Sequence, residues 1–186
     1  MITKGYFIHL STLALACALV TACESVPKVR SNVDPSANLS SYKTYAFVPQ
    51  PGTNRGGYST PLTTYFETAV SRELDARGYQ KAEASPDLLV NFNTNVQEKA
   101  DIQSTLGPGV GYYGYRAGLY AGGNIETVRY KVGTVNIDVA DASKKKLLWE
   151  GVAEGELTSD VMKDLQGAVN RIVVRMFTQF PGEAAL

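Results

Sequence analysis

The sequence predicts an α+β domain: a two-layer sandwich in which a mostly antiparallel sheet of four to five strands carries two amphipathic helices on one face. Three observations lead there. Apolar residues recur at spacings of three and four across residues 62–74 and again across 161–176, each set forming one stripe. Residues 87–96 and 128–139 alternate apolar with polar side chains, the pattern of strands with one buried face. The predicted order is strand, helix, three strands, helix. Two helices that bury their stripes and also cover a half-apolar sheet are expected to share one sheet face.

The chain opens on its only long apolar run, from Tyr6 to Val20, preceded by Lys4. That run is too short and too lightly flanked for a stable membrane span and has the shape of a secretory signal. It ends in Val20-Thr21-Ala22-Cys23, which resembles the bacterial lipobox. The alternative is an ordinary cleavage near Ala22 that leaves a free thiol. A second candidate, Ala14-Leu15-Ala16-Cys17, has its large aliphatic residue one place too late. Residues 1–22 are therefore expected as signal peptide, with Cys23 as the lipidated first residue. In lipoproteins that cysteine carries three acyl chains, and two or more anchor stably where one holds only marginally. Glu24, a residue other than Asp after the cysteine, suggests the outer membrane by the sorting pattern of such lipoproteins, with the domain facing the periplasm.

Without residues 1–22 the chain has 164 residues, enough for one domain with a proper core. It then carries 17 basic and 18 acidic groups, and this near-neutral balance argues against nucleic acid as a partner. The one histidine of the whole chain, His9, lies in the signal. A mature chain with no histidine and no free thiol excludes Ser-His-Asp and Cys-His catalysis and histidine metal sites. No cofactor is expected, and an enzyme is the minority reading.

Residues 23–41, with Pro27, Pro35 and several Ser and Asn, read as lipidated N-terminus and tether, with a short strand around Lys28–Val33 allowed by Val29 and Val33. The single domain is expected over 42–182. Tyr42 to Val48 is rich in aromatic and β-branched residues and reads as a strand. Residues 49–58, with two Pro and three Gly, read as a loop. Thr60 is placed to cap a helix that has Pro61 at its first position, and Gly78 is placed to end it. Its stripe is Leu62, Tyr65, Phe66, Ala69, Val70 and Leu74.

From Asp87 to Val96, Leu88, Val90, Phe92 and Val96 share one face, with Leu89, Asn91, Asn93 and Asn95 on the other. Residues 107–123 hold seven Gly and four Tyr and read as a mobile loop or long hairpin connection. From 128 to 139, Val128, Tyr130 and Val132 share one parity, and Val135, Ile137 and Val139 the other. A bulge at Gly133 would keep all of these on one face. Asp141 to Lys146 turns the chain, and Leu147 to Ala153 returns with Trp149, whose face the pattern leaves open. The last helix is expected from Ser159-Asp160, with the stripe Val161, Leu165, Ala168, Val169, Ile172, Val173 and Met176, stopped by Pro181-Gly182.

Several features in this order resemble one family. They are Val33-Asp34, Tyr42-Lys43-Thr44-Tyr45-Ala46-Phe47, Gly78-Tyr79, Pro86-Asp87-Leu88-Leu89-Val90, Gly133-Thr134-Val135-Asn136-Ile137-Asp138, Leu148-Trp149-Glu150-Gly151 and Phe180-Pro181. Behind a lipobox they resemble the bacterial lipoproteins of domain of unknown function 4136, over roughly Val29 to Pro181. The resemblance implies an envelope lipoprotein with an α/β domain. It supplies no activity and no catalytic residues.

Tyr112, Tyr113, Tyr115 and Tyr120 form a candidate binding surface, since tyrosine offers apolar area with a polar tip. Gly109 to Gly114 matches G-x-G-x-x-G but continues into more Gly and Tyr with no helical stripe, so a dinucleotide site is not expected. Glu154 and Glu156 alternate on one strand face about 6.6 Å apart, at the lower edge of inverting-glycosidase spacing. Glu150 and Glu154, about 13 Å apart, are too distant to share a bond. Asp138 and Asp141 could hold a cation but more commonly make turns, and Lys144 to Lys146 could touch anionic headgroups. The expected function is that of a non-catalytic binding or structural accessory, held in the bilayer by Cys23 and meeting an envelope protein or cell-wall partner. Two alternatives stand beside it: a carboxylate-dependent hydrolase acting on envelope glycans, and a self-associating protein pairing through its Gly/Tyr segment. Oligomeric state is left open.

Overall fold

The computed structural model describes residues 26–106 and 123–181, with side chains described over 26–102 and 126–181. Within them, six strands form one sheet: β1 (Lys28–Val33), β2 (Thr44–Phe47), β3 (Gln80–Lys81), β4 (Leu88–Leu106), β5 (Gly123–Asp141) and β6 (Lys146–Glu156). The spatial order is β1-β6-β5-β4-β2-β3. Three helices accompany it: α1 (Pro61–Asp75), α2 (Ser159–Lys163) and α3 (Leu165–Phe177).

The sheet is mixed, which corrects the expectation of a mostly antiparallel one. β1, β6, β5 and β4 are each antiparallel to the next in that series, but β2 is parallel to both β4 and β3. The reason is connectivity: a helix between two adjacent strands returns the chain to the starting end, so the strand after it must run parallel. The count is six rather than four to five because β3 is only two residues long and β1 belongs to the sheet. Residues 28–41, expected within the tether, are thus part of the fold. Asp34 turns the chain after β1, and Leu39 is buried in the core.

Helix α1 begins as its sequence dictates. The Thr60 hydroxyl accepts from the Thr63 amide at 3.2 Å, and Pro61 is the first helical residue. The turn that closes it after Asp75 reaches Gly78, whose φ of +84° a residue with a side chain rarely adopts. There the Gly78 and Tyr79 amides donate to the Asp75 and Leu74 carbonyls, closing the helix end. The second stripe is carried by two helices instead of one. Asp164 leaves helical geometry after α2, and its carboxylate accepts from the Gly167 amide to cap α3. A residue that offers the backbone a side-chain acceptor interrupts a helix where an apolar pattern alone would run on.

Both long helices lie on one sheet face. Phe66 of α1 stacks on Phe92 of β4 at 5.3 Å, and Phe177 of α3 meets Trp149 of β6 at 5.4 Å. Trp149 is fully buried, ringed also by Phe180, so its face is settled. Arg77 ties the helices together, donating to the Phe177 carbonyl at 2.8 Å and to the Glu73 carboxylate at 3.0 Å.

Two details of β4 and β5 depart from the pattern. No bulge lies at Gly133: its pairing with Val96 and with Gly155 is in continuous register, and the irregularity falls between Val139 and Ala140 against β6. Val132 therefore lies on the face opposite Ile137, although it is buried. Val96, assigned to the buried face, is 56% exposed. Alternation identifies a face but not where the covering layer ends, and residues 93–102 lie beyond the buried part of β4.

Candidate functional site

The largest exposed feature follows from the lengths of the strands. β6 ends at Glu156, opposite Val132, while β4 and β5 continue to pair as far as Leu106 and Gly123. Beyond the third strand this is a two-stranded ribbon, roughly 30 Å long by strand rise. Residues 93–102 are all exposed, among them Ile102 at 73%. The ribbon carries charges of both signs: Glu98, Lys99, Asp101, Glu126, Arg129 and Lys131. Residues 107–122, between its two ends, lie outside the described residues. So do the candidate residues Tyr112, Tyr113, Tyr115 and Tyr120, the G-x-G-x-x-G match, and Cys23. The pairing of Leu106 with Gly123 makes β4 and β5 an antiparallel pair to their described ends.

A second feature lies on the sheet face without helices. Asn32, Glu150, Asp138 and Asn91 stand opposite one another in register across β1, β6, β5 and β4. The Asn32 amide donates to Glu150 at 2.9 Å, and Asn136 donates to its other oxygen at 3.3 Å. Burial, and then the Glu150 charge beside it, push the Asp138 carboxyl above the usual carboxylate range, while the Asn91 side chain acts in the opposite sense. Sequence reasoning missed this pair of carboxylates. The signal needed was the β5–β6 register, which places Asp138 opposite Glu150.

The third feature is a groove of about 550 Å³ at the sheet end near the β5–β6 turn, lined by Tyr42, Ser85, Asp87, Leu89, Asp141 and Lys145 among others. Asp141, almost wholly buried, accepts from the Ser143 hydroxyl at 2.7 Å, the Lys144 amide at 2.8 Å, the Lys144 ammonium at 3.0 Å and the Tyr42 hydroxyl at 2.8 Å. These donors, Ser143 first, hold its carboxyl far below the usual range. Asp87 accepts from the Lys43 and Thr44 amides at 2.8 and 2.9 Å, which lowers its pKa in the same way. Both carboxylates are spent on joining β2, β4 and the hairpin turn.

The sequence-predicted pairs separate in the structure. Asp138 and Asp141 share no partner among the described residues and do not form one site. Glu154 and Glu156 do share a face, but Glu154 is bound to Lys99 at 2.7 Å, which lowers its pKa. A carboxylate held ionised is unsuited to donate a proton to a leaving group. Of the three turn lysines, Lys144 pairs with Asp141 and Lys146 with Asp34, whose carboxyl falls to about 2 chiefly through that contact. Lys145 is exposed at a φ of +54°.

The chain belongs to the family described as Domain of unknown function (DUF4136), whose model matches residues 29–182. No curated protein matches it. Among solved structures it is similar to a PDZ domain protein from Parabacteroides distasonis, with a TM-score of 0.55 at 17% identity over 83% of this chain. The chain spans 36% of the length of that protein, and the likeness is one of fold. It is also similar to a PelC dodecamer from Paraburkholderia phytofirmans, with a TM-score of 0.46 at 11% identity over 85% of this chain and 99% of that one.

Proposed function

We propose that this member of the family is a lipid-anchored envelope protein, acylated at Cys23, on the periplasmic side of the outer membrane. It acts there as a non-catalytic binding or structural accessory, and the β4–β5 ribbon is the element that meets its envelope-protein or cell-wall partner. The observation that carries the reading is the ribbon itself. A two-stranded hairpin is marginal in water on its own, and docking against a partner would supply the further strands or covering layer that it lacks. Val96, Ile102 and Val128 are exposed apolar residues of the ribbon. The anchor fits this arrangement. β1 begins five residues after Cys23, so an acylated chain would keep the domain within about 17 Å of the bilayer surface.

Two measurements test the proposal. Cys23→Ala should move the protein from the membrane fraction to the soluble one; retention after a high-salt wash would refute the anchor. Replacing residues 98–131 by a two-residue turn should leave the melting temperature of the remaining sheet unchanged. In the full chain, photo-crosslinkers at Ile102 or Tyr115 should form adducts in living cells, and the same probe at Asp160 on α2 should form none. A ribbon whose removal unfolds the domain would be structural instead.

A hydrolase acting on envelope glycans keeps one supporting observation, the Asp138–Glu150 pair, in which one carboxyl is raised and its neighbour is held by two amides. Release of soluble fragments from purified cell wall, abolished by Asp138→Asn, would favour it over the binding reading.

A further inference from the structure

The outer edge of β4 is open where the ribbon leaves the sheet. β2 pairs with β4 only as far as Val90, whose carbonyl accepts from the Val48 amide. The Asp87 carbonyl, of opposite parity, accepts from Ala142 at the end of β5. Backbone groups at even positions of β4 therefore point away from β5. From Thr94 through Val96, Glu98, Ala100 and Ile102, no strand receives them among the described residues. Natural sheets blunt such an edge with proline, a bulge, a covering segment or charged side chains; the charges here, Glu98, Lys99 and Asp101, are of both signs and can be matched by a second edge. Here β4 has no proline, and its pairing with β5 runs without a register shift from Leu88 to Leu106.

We propose that this edge pairs antiparallel with the same edge of a second copy of the chain, about a twofold axis at Ala100. The inference rests on the reading of the ribbon as a binding element and names its partner. The charges select the register. With Ala100 opposite Ala100 of the second copy, Lys99 faces Asp101 of the second copy, twice by symmetry, and Glu98 faces Ile102. A register centred on Glu98 would set like charges against each other, a cost that discriminates against it. Ala100 and Glu98 are even positions, so the proposed pairs are the hydrogen-bonded ones. Lys99 and Asp101 form the intervening close pair, in which side chains approach nearest. Lys99 already bonds Glu154, and Asp101 lies near enough to the Tyr130 hydroxyl to raise its pKa. An ammonium has three donors and a carboxylate two oxygens, so the intermolecular pair adds to those contacts. Joining two ribbons makes a four-stranded sheet, which removes two open edges and the marginality of an isolated hairpin.

The test uses the full acylated chain. Ala100→Cys treated in intact cells with a short bis-maleimide should give a covalent species of twice the chain mass, since Cα atoms of a hydrogen-bonded antiparallel pair lie about 5.5 Å apart, within the span of that linker. Asp160→Cys on α2 should not. In detergent, Ala100→Pro removes only an outward amide, so it should raise the dimer dissociation constant at least tenfold with the melting temperature unchanged. Lys99→Asp should weaken the dimer, and its combination with Asp101→Lys should restore it. An adduct of Ala100→Cys with a different protein would overturn the second copy while sustaining the ribbon as a binding element. No adduct from Ala100→Cys, with none from crosslinkers elsewhere on the ribbon, would overturn both.

Discussion

The indole of Trp149 occupies the space that a side chain at Gly151 would need. A Cβ added there would stand 2.9 Å from Cζ2, closer still to Cη2, and 3.0 Å from the Met176 methyl. The two residues are next neighbours on the same face of β6, so the glycine is a flat floor on which the ring lies against α3. Gly151→Ala is expected to cost about 1–3 kcal/mol by overpacking. Trp149→Ala should cost about 3–5 kcal/mol through the cavity it leaves. Chemical denaturation of the purified variants measures both, and an alanine at 151 without effect would show that the ring has room to move.

Asp141 and Asp34 both have folded pKa values below the unfolded carboxylate value of 3.8, Asp34 at about 2. A depressed value means that the group stabilises the fold fully above the unfolded pKa and loses that contribution as pH falls through the folded one. Asp141→Asn should therefore lower the melting temperature at pH 7, and the gap to wild type should narrow as pH is taken from about 4 downward. A gap constant across that window would mean that the carboxylate charge is not what joins Tyr42 to the hairpin turn.

Asp138 behaves in the opposite sense. Its pKa is raised, by burial first and then by Glu150, so its ionisation at neutral pH works against the fold, and lowering the pH through its folded value adds stability. Asp138→Asn should melt no lower than wild type at pH 7 and should lose the gain wild type shows on mild acidification. A marked fall in melting temperature at pH 7 would contradict this.

Thr63 sits almost fully buried at the start of α1, with its hydroxyl 2.8 Å from that of Thr53 and 2.9 Å from the Asn54 side chain. Thr63→Val keeps the shape but leaves the buried Thr53 hydroxyl without that partner, at an expected cost of about 1–3 kcal/mol. Thermal melts that match wild type would indicate that water replaces the lost group.

Much of the framework was legible before any coordinates. The Thr60 cap, the Pro61 start, the Gly78 stop, and the stripe through Phe66, Ala69, Val70 and Leu74 each follow from local physics, and each recurs in the structure. The alternation of Leu88, Val90 and Phe92 named the buried face of β4 for the same reason. What failed were statements about extent and register. Val96 continues the alternation yet is exposed, and the parity switch at Gly133 marks no bulge. The carboxylates paired on sequence, Glu154 with Glu156 and Asp138 with Asp141, were chosen by spacing along one strand. The pair that does meet, Asp138 with Glu150, lies across two.

By itself the sequence determined which residues turn, cap and alternate, the sharing of one sheet face by two apolar stripes, and the absence of histidine after His9. All of these depend on interactions within a few residues or on composition. Only the tertiary structure decided that β2 runs parallel to β4, that Trp149 points inward onto Gly151, and that β4 and β5 outrun their covering layer to form a ribbon with an open edge. Those outcomes depend on which strands lie side by side and on where a neighbouring strand stops. The spacing of side chains along one strand carries no record of either.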